Sequence, residues 1–110
     1  MIENIFGNMT AKRVLLHIYH YGEIHASGIA KDYDVSVTPI LNQLKRFELS
    51  GVLVSKQVGK SRLYLLNPKS PYMNPVKAIL KLYYDSLSLE EKQKQFNTRR
   101  RPRRKGKPVL

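Results

Sequence analysis

The chain has 110 residues, a hydrophobic fraction of 42% and a net charge of +12. That suits one small domain with a single core rather than a disordered polymer. No cysteine is present, which excludes disulfides and thiolate metal sites, and no apolar run approaches the roughly 20 residues that span a bilayer.

The opening stretch, "MIENIFGNMT", lacks a basic segment followed by an apolar core, so no signal peptide is expected and the compartment reads as cytoplasmic. "NMTAKRVLLHIYHYG" then predicts the first helix. Ala11, Val14, Leu15, Ile18 and Tyr21 recur at helical spacing, Asn8 or Thr10 caps the start, and Gly22 ends it. "EIHASGIAKDYDVS" predicts an extended step and a short helix from about Ala26 to Tyr33, with Ile29, Ala30 and Tyr33 inward. Gly28 weakens that helix by roughly 1 kcal/mol against alanine, so it must lean on its neighbours.

A polar turn around Val35 precedes "SVTPILNQLKRFELSG". There Ile40, Leu44 and Phe47 form an inward stripe. Either Ser36 caps this helix with Pro39 in its first turn, or Thr38 caps it with Pro39 as the first helical residue. Gly51 stops it. "VLVSKQV" and "SRLYLLN" flank Gly59-Lys60, which predicts a hairpin with a type II′ turn.

After the connector "NPKSPYMNP", Asn74 is expected to cap a further helix with Pro75 first. Its apolar stripe is Val76, Ile79, Leu80, Tyr83 and Leu87. "SLEE" is a capping box of Ser88 with Glu91, opening a last short helix that ends near Phe96. Disorder is expected from about Asn97. The expected organisation is a body of residues 1–68, C-terminal helices over 69–96, and a basic tail over 97–110.

Helix, helix, turn, helix and hairpin is the order of a winged helix-turn-helix, mainly α with a small β wing. "HASGIAKDYDVSVTPILNQLKRFELSGVL" resembles the core of ArsR-like and MarR-like bacterial transcription regulators. Ile29-Ala30, Ser36, Ile40, Leu44, Phe47, Gly51, Val52 and Leu53 match that pattern. "VGKSRLYLLNP" resembles the wing and its exit. The likeness covers about residues 6 to 68. Gly28 replaces a helix former, Pro39 stands where a hydroxyl residue often meets DNA, and the cysteine-based metal sites of ArsR-like sensors are missing.

A helix fits the major groove and reads base edges with its outward residues. Opposite the buried stripe lie Val37, Thr38, Leu41, Asn42 and Lys45. Asn42 has the amide to pair with adenine, Val37 or Leu41 the methyl groups to meet thymine, and Lys45 and Arg46 the charge to hold phosphate. A plain solvated face, with Leu41 turned back against the first helix, is the bland reading. Lys56, Lys60 and Arg62 cluster on the wing, to grip phosphates or enter the minor groove, or simply as edge-strand surface lysines.

The tail carries Arg99, Arg100, Arg101, Arg103, Arg104, Lys105 and Lys107 with no acidic residue. The rest of the chain is still +5, so the tail exaggerates an existing bias. Nucleic acid is the default partner for such a balance, then anionic membrane, then acidic protein. Lys105-Gly106-Lys107-Pro108 is similar to an AT-hook core with lysine for arginine. A minor-groove insert, a phosphate arm, and a solvated, RNA-binding or protein-binding tail all remain open.

His17 and His20 are three residues apart, a spacing that suits a metal or a pH switch, but no matching acidic or thiol partner accompanies them. They are expected to be partly exposed helix residues. No metal, cofactor or enzymatic motif is expected. In the family resembled, the region of Val76, Ile79, Leu80, Tyr83 and Leu87 forms a dimer interface, which implies a homodimer; folding back onto its own domain is the alternative. The expected function is a prokaryotic-type, sequence-specific regulator on double-stranded DNA, associated with the nucleoid. A winged-helix interaction module docking RNA or acidic protein, and a low-specificity DNA-coating protein, are the alternatives.

Overall fold

The computed structural model describes residues 1–96. Six helices and three strands follow in the order α1 (Ile2–Phe6), α2 (Met9–Tyr21), β1 (Glu23–His25), α3 (Ala26–Tyr33), α4 (Val37–Leu49), β2 (Leu53–Val58), β3 (Ser61–Leu66), α5 (Met73–Ser86) and α6 (Leu89–Gln95). The predicted first helix is therefore preceded by a five-residue one. Ile2 of α1 is buried in the common core.

Helix α2 is the central pillar. Asn8 caps it, its side chain accepting from the Ala11 N–H at 2.8 Å, which settles the choice against Thr10. Ala11, Val14, Leu15, Leu16 and Ile18 are all buried. The extended step after Gly22 is a strand in its own right. It makes a three-stranded antiparallel sheet of order β1-β3-β2, with Ile24 opposite Tyr64 and Lys56 opposite Leu63. Gly28 has its reason here: a Cβ on it would lie 3.2 Å from the Ile24 side chain, which would have to give way for α3 to keep its approach to β1.

Helix α4 opens after Ser36, and Thr38 and Pro39 are its second and third residues. The reading with Thr38 as cap is thus corrected. Ser36 makes no side-chain capping bond, and of the two N–H groups a capping oxygen would seek, the one three residues on is missing at proline. The hairpin turn is as predicted. Val58 pairs with Ser61, Gly59 has φ +61°, and Lys60 does not share the positive φ, which is the type II′ pattern.

Helix α5 begins two residues earlier than expected. Tyr72, not Asn74, is its N-terminal flanking residue. The Ser70 hydroxyl accepts from the Tyr72 N–H at 3.1 Å and pre-forms the turn. The capping box of α6 is present in full, Glu91 N–H to Ser88 and Ser88 N–H to Glu91. One hydrophobic core runs through the described residues. It gathers Leu15, Ile29, Leu44 and Leu53 with Leu80 of α5 and Phe96 beyond α6.

Candidate nucleic-acid interface

The buried stripe of α4 is the predicted one: Ile40, Leu44 and Phe47. It fixes which residues face outward. Thr38, Asn42 and Lys45 are exposed, and Val37 is 38% exposed. Leu41 is half-buried and packs against the core, so it divides its surface between core and solvent. Asp34, in the left-handed conformation at φ 54°, turns the chain from α3 to α4. The Val35 N–H closes that turn on the Ala30 carbonyl at 3.1 Å.

Arg46 is engaged by the protein itself. Its Nη2 donates to the Phe6 carbonyl at 2.9 Å, its Nε donates to Gln43 Oε1 at 3.0 Å, and its guanidinium lies 4.6 Å over the Phe47 ring. The bond to Phe6 ties α1 to α4. Nothing in the spacing of α4 pointed to this, because the partner is a backbone atom 40 residues away.

On the wing, Lys60 occupies the turn and is exposed, with Arg62 one step inside β3. Arg62 Nη1 donates to the Ser55 hydroxyl at 2.8 Å, and that hydroxyl donates to Glu48 Oε2 at 2.6 Å. A relay therefore links the end of α4 to the arginine of the wing. Lys56 reaches Glu23 on β1 with Nζ–Oε1 3.0 Å, so part of its charge is already met. Both acidic partners had escaped notice, since they lie on other elements. The seven predicted basic residues of the tail lie outside the described residues.

The C-terminal helices close over α2. Leu80 is wholly buried within the monomer, while Val76, Ile79, Tyr83 and Leu87 are half-buried against the same core. Leu82 on α5 and Leu89 on α6 stand 77% and 73% exposed. Phe96 is buried among rings. His20 stacks on it at 4.3 Å, and its Nδ1 shares a hydrogen bond with the Tyr84 hydroxyl at 2.7 Å.

The reading of the histidines as partly exposed is corrected for His17, which is completely buried. Its Nε2 lies 2.7 Å from Asp32 Oδ2, and the Asp32 side chain is equally closed to solvent. The sequence signal was its position three residues after Val14 and one before Ile18, on the inward face of α2. Among the described residues no group of three or more histidine or acidic side chains is arranged to hold a metal. No helix among them is long and apolar enough to cross a membrane.

No protein-family profile matches the chain, and no curated protein matches it in sequence. Solved structures do match in fold. The adhesin competence repressor AdcR of Streptococcus pyogenes superposes with a TM-score of 0.60 at 14% identity, over 76% of this chain and 62% of that one. This chain thus spans less than two thirds of the repressor's length. A MarR-family transcriptional regulator from Rhodococcus sp. RHA1 superposes with a TM-score of 0.59 at 13% identity, over 80% and 69%. BpsR of Bordetella bronchiseptica, whose DNA binding is regulated by 6-hydroxynicotinic acid, gives 0.52 at 13% identity, over 81% and 74%. The fold is the winged helix-turn-helix seen in these regulators, as the order of elements predicts.

Proposed function

We propose that this chain is a sequence-specific regulator of transcription that binds double-stranded DNA as a homodimer. The observation that carries it is the composition of one surface. Helix α4 turns Thr38, Asn42 and Lys45 away from a fully buried stripe, and the hairpin beside it holds Lys60 in its turn with Arg62 next to it. A polar helix face with a cation-bearing wing is what groove entry and phosphate contact require. The solved structures of the same fold include a repressor and a protein whose DNA binding is regulated, which supports the same reading.

In this mechanism Val37, Thr38, Leu41 and Asn42 address base edges, and Lys45, Lys60 and Arg62 hold phosphates. Arg46 acts through its bond to Phe6, keeping α1 and α4 in register. Arg62 leaves Ser55, or keeps that bond with one nitrogen while offering the others. The basic tail adds phosphate contacts on DNA that the folded body has found. The half-buried rim of α5 with Leu82 supplies the dimer surface, and the protein acts in the cytoplasm on the nucleoid. Regulation is by occupancy, without enzymatic chemistry.

Selection from a random duplex pool with the full chain tests this. Enrichment of a defined motif, bound at least about a thousandfold more tightly than bulk duplex, is the expected result. Uniform retention of all duplexes would make it a coating protein, and no retention would leave an interaction module.

A further inference from the structure

The proposed contacts with DNA make no use of His17 or Asp32. His17 Nε2 and Asp32 Oδ2 are 2.7 Å apart and both side chains are closed to solvent. A carboxylate only accepts, so Nε2 carries the proton between them. Around the rest of the ring the neighbours make opposite demands, and the backbone of Gln95, at the end of α6, joins the Arg13 carbonyl in favouring a protonated ring. The Arg13 carbonyl lies 3.1 Å from Nδ1 and calls for an N–H there, whereas the Tyr33 hydroxyl, at 3.4 Å, can donate to a bare nitrogen. Nδ1 is therefore poised between the neutral ring and the imidazolium.

Three helices meet at this point. From α2 come Arg13, whose guanidinium lies 4.3 Å over the Tyr33 ring, and Tyr21, whose hydroxyl is 3.5 Å from Asp32. From α3 come Asp32 and Tyr33. Phe96, one residue past α6, lids the imidazole with ring centroids 4.8 Å apart. Around that lid stand His20, Tyr84 and Lys92, the last 4.2 Å over the Tyr84 ring, with Tyr83 and Lys12 on the neighbouring side. Asp32 sits two residues before the left-handed Asp34 that swings the chain into α4.

We propose that His17 and Asp32, lidded by Phe96, form a proton-sensitive joint that fixes α3, and through its turn the recognition helix α4, against α2. The proposal rests on the DNA-binding reading of α4. Burial pushes the His17 imidazole below its ordinary range, with Asp32 and the backbone groups of Arg13 and Gln95 opposing this only in part. A proton is then taken up more readily where water reaches the ring, which requires the lid to lift. By linkage, acid favours the lifted state. The sign is diagnostic. Acidification adds positive charge to a basic protein, which by itself strengthens attraction to a polyanion. The joint predicts the reverse for sequence-specific binding.

The full chain is titrated by NMR at its imidazoles, as wild type, Phe96→Ala and Phe96→Leu. In parallel, its affinity for a selected duplex and for random duplex is measured at about pH 7.5 and about pH 5.5, the range in which histidine titrates. His17 is expected to titrate at lower pH in the wild type than in Phe96→Ala, with Phe96→Leu between. Affinity for the selected duplex should fall about fivefold on acidification, the low end of coupling between sites, while random duplex shows no fall. His17→Gln should abolish the fall. Asp32→Asn serves if that variant does not fold: it keeps the shape, removes the anion and should move the fall to lower pH. A His17 titration unmoved by either Phe96 variant overturns the joint, as does a pH profile unchanged in both His17→Gln and Asp32→Asn. Failure to bind any duplex at either pH ends the DNA reading instead, and the imidazole titration still judges the joint.

Discussion

Arg46 Nη2 donates to the carbonyl oxygen of Phe6 at 2.9 Å and so fastens α1 to α4. The carbonyl is the last of the α1 segment, just before Gly7, whose φ is +117°. A Cβ at Gly7 would sit 3.2 Å from the same Nη2. Arg46→Ala removes this tie and is expected to cost about 0.5–1.5 kcal/mol, the usual net worth of a hydrogen bond. Its base preference on DNA should stay that of the wild type. Denaturant melts and a repeat of the duplex selection check the two halves. A variant of full stability that loses general affinity would return Arg46 to the phosphate role first expected of it.

Asn42 is exposed on the face opposite Ile40 and Leu44. Its amide presents one donor and one acceptor together, the pattern that adenine offers in the major groove. Asn42→Ala should relax the preference at one base position and cost about 1–3 kcal/mol on the selected site. Stability should change little, since the side chain is exposed. Full retention of sequence preference would sink the assignment.

What was legible in the sequence followed from local periodicity. The stripe of Ile40, Leu44 and Phe47 and the Gly59 turn each announce their structure within a few residues, and both stand as read. So does the Ser88–Glu91 capping box. What was not legible depended on distant partners. Helix α1 has five residues, too few to show a helical period. The strand Glu23–His25 is three residues long and is defined by pairing with Leu63–Leu65, far along the chain. The spacing of His17 puts it on the inward face of α2, but the groups that satisfy it there, Asp32 and the Phe96 ring, come from other elements. Asn74 is a good capping residue, but Ser70 had already started the turn.

The His17 shift makes a separate prediction about stability. Its folded value lies below the ordinary 6.5, with burial as the main cause. The unfolded chain therefore binds the proton more readily. This contribution is fully present above pH 6.5 and is lost as the pH falls below it. Urea melts of the wild type should show stability declining over that window. His17→Gln should be less stable at neutral pH and show a flatter decline over that window. An equal slope in both proteins would assign the acid sensitivity elsewhere.

Leu82 tests the dimer without touching the core. Leu80 is wholly buried in the monomer and Ile79 and Tyr83 pack against the same cluster, so charges at any of these would unfold the chain before they reported on assembly. Leu82 is 77% exposed on the same helix. Leu82→Glu should keep its helical circular dichroism and melting temperature, and sediment as a monomer where the wild type is a dimer. It should also bind paired half-sites more weakly than the wild type. A wild type that is already monomeric removes the dimer from the proposal, and a dimeric Leu82→Glu moves its interface off α5.

Truncation after Phe96 should leave the folded body intact. The capping box and the buried Phe96 ring, which holds the end of α6 against the core, both lie before the cut. The lost segment carries seven cations and no anion. If it is a phosphate arm, affinity falls alike on every duplex. Each lost contact flattens the slope of log K against log salt by about 0.9, and partial engagement gives a total change of about 2–4. If Lys105-Gly106-Lys107-Pro108 enters the minor groove, the loss is instead larger on A·T-flanked sites, where the groove is narrow and its potential most negative. Gly106→Glu alone then reproduces most of it. A salt series on A·T-flanked and G·C-flanked duplexes separates these outcomes. Unchanged affinity and slope on all of them would take the tail off DNA and leave it for RNA or an acidic protein.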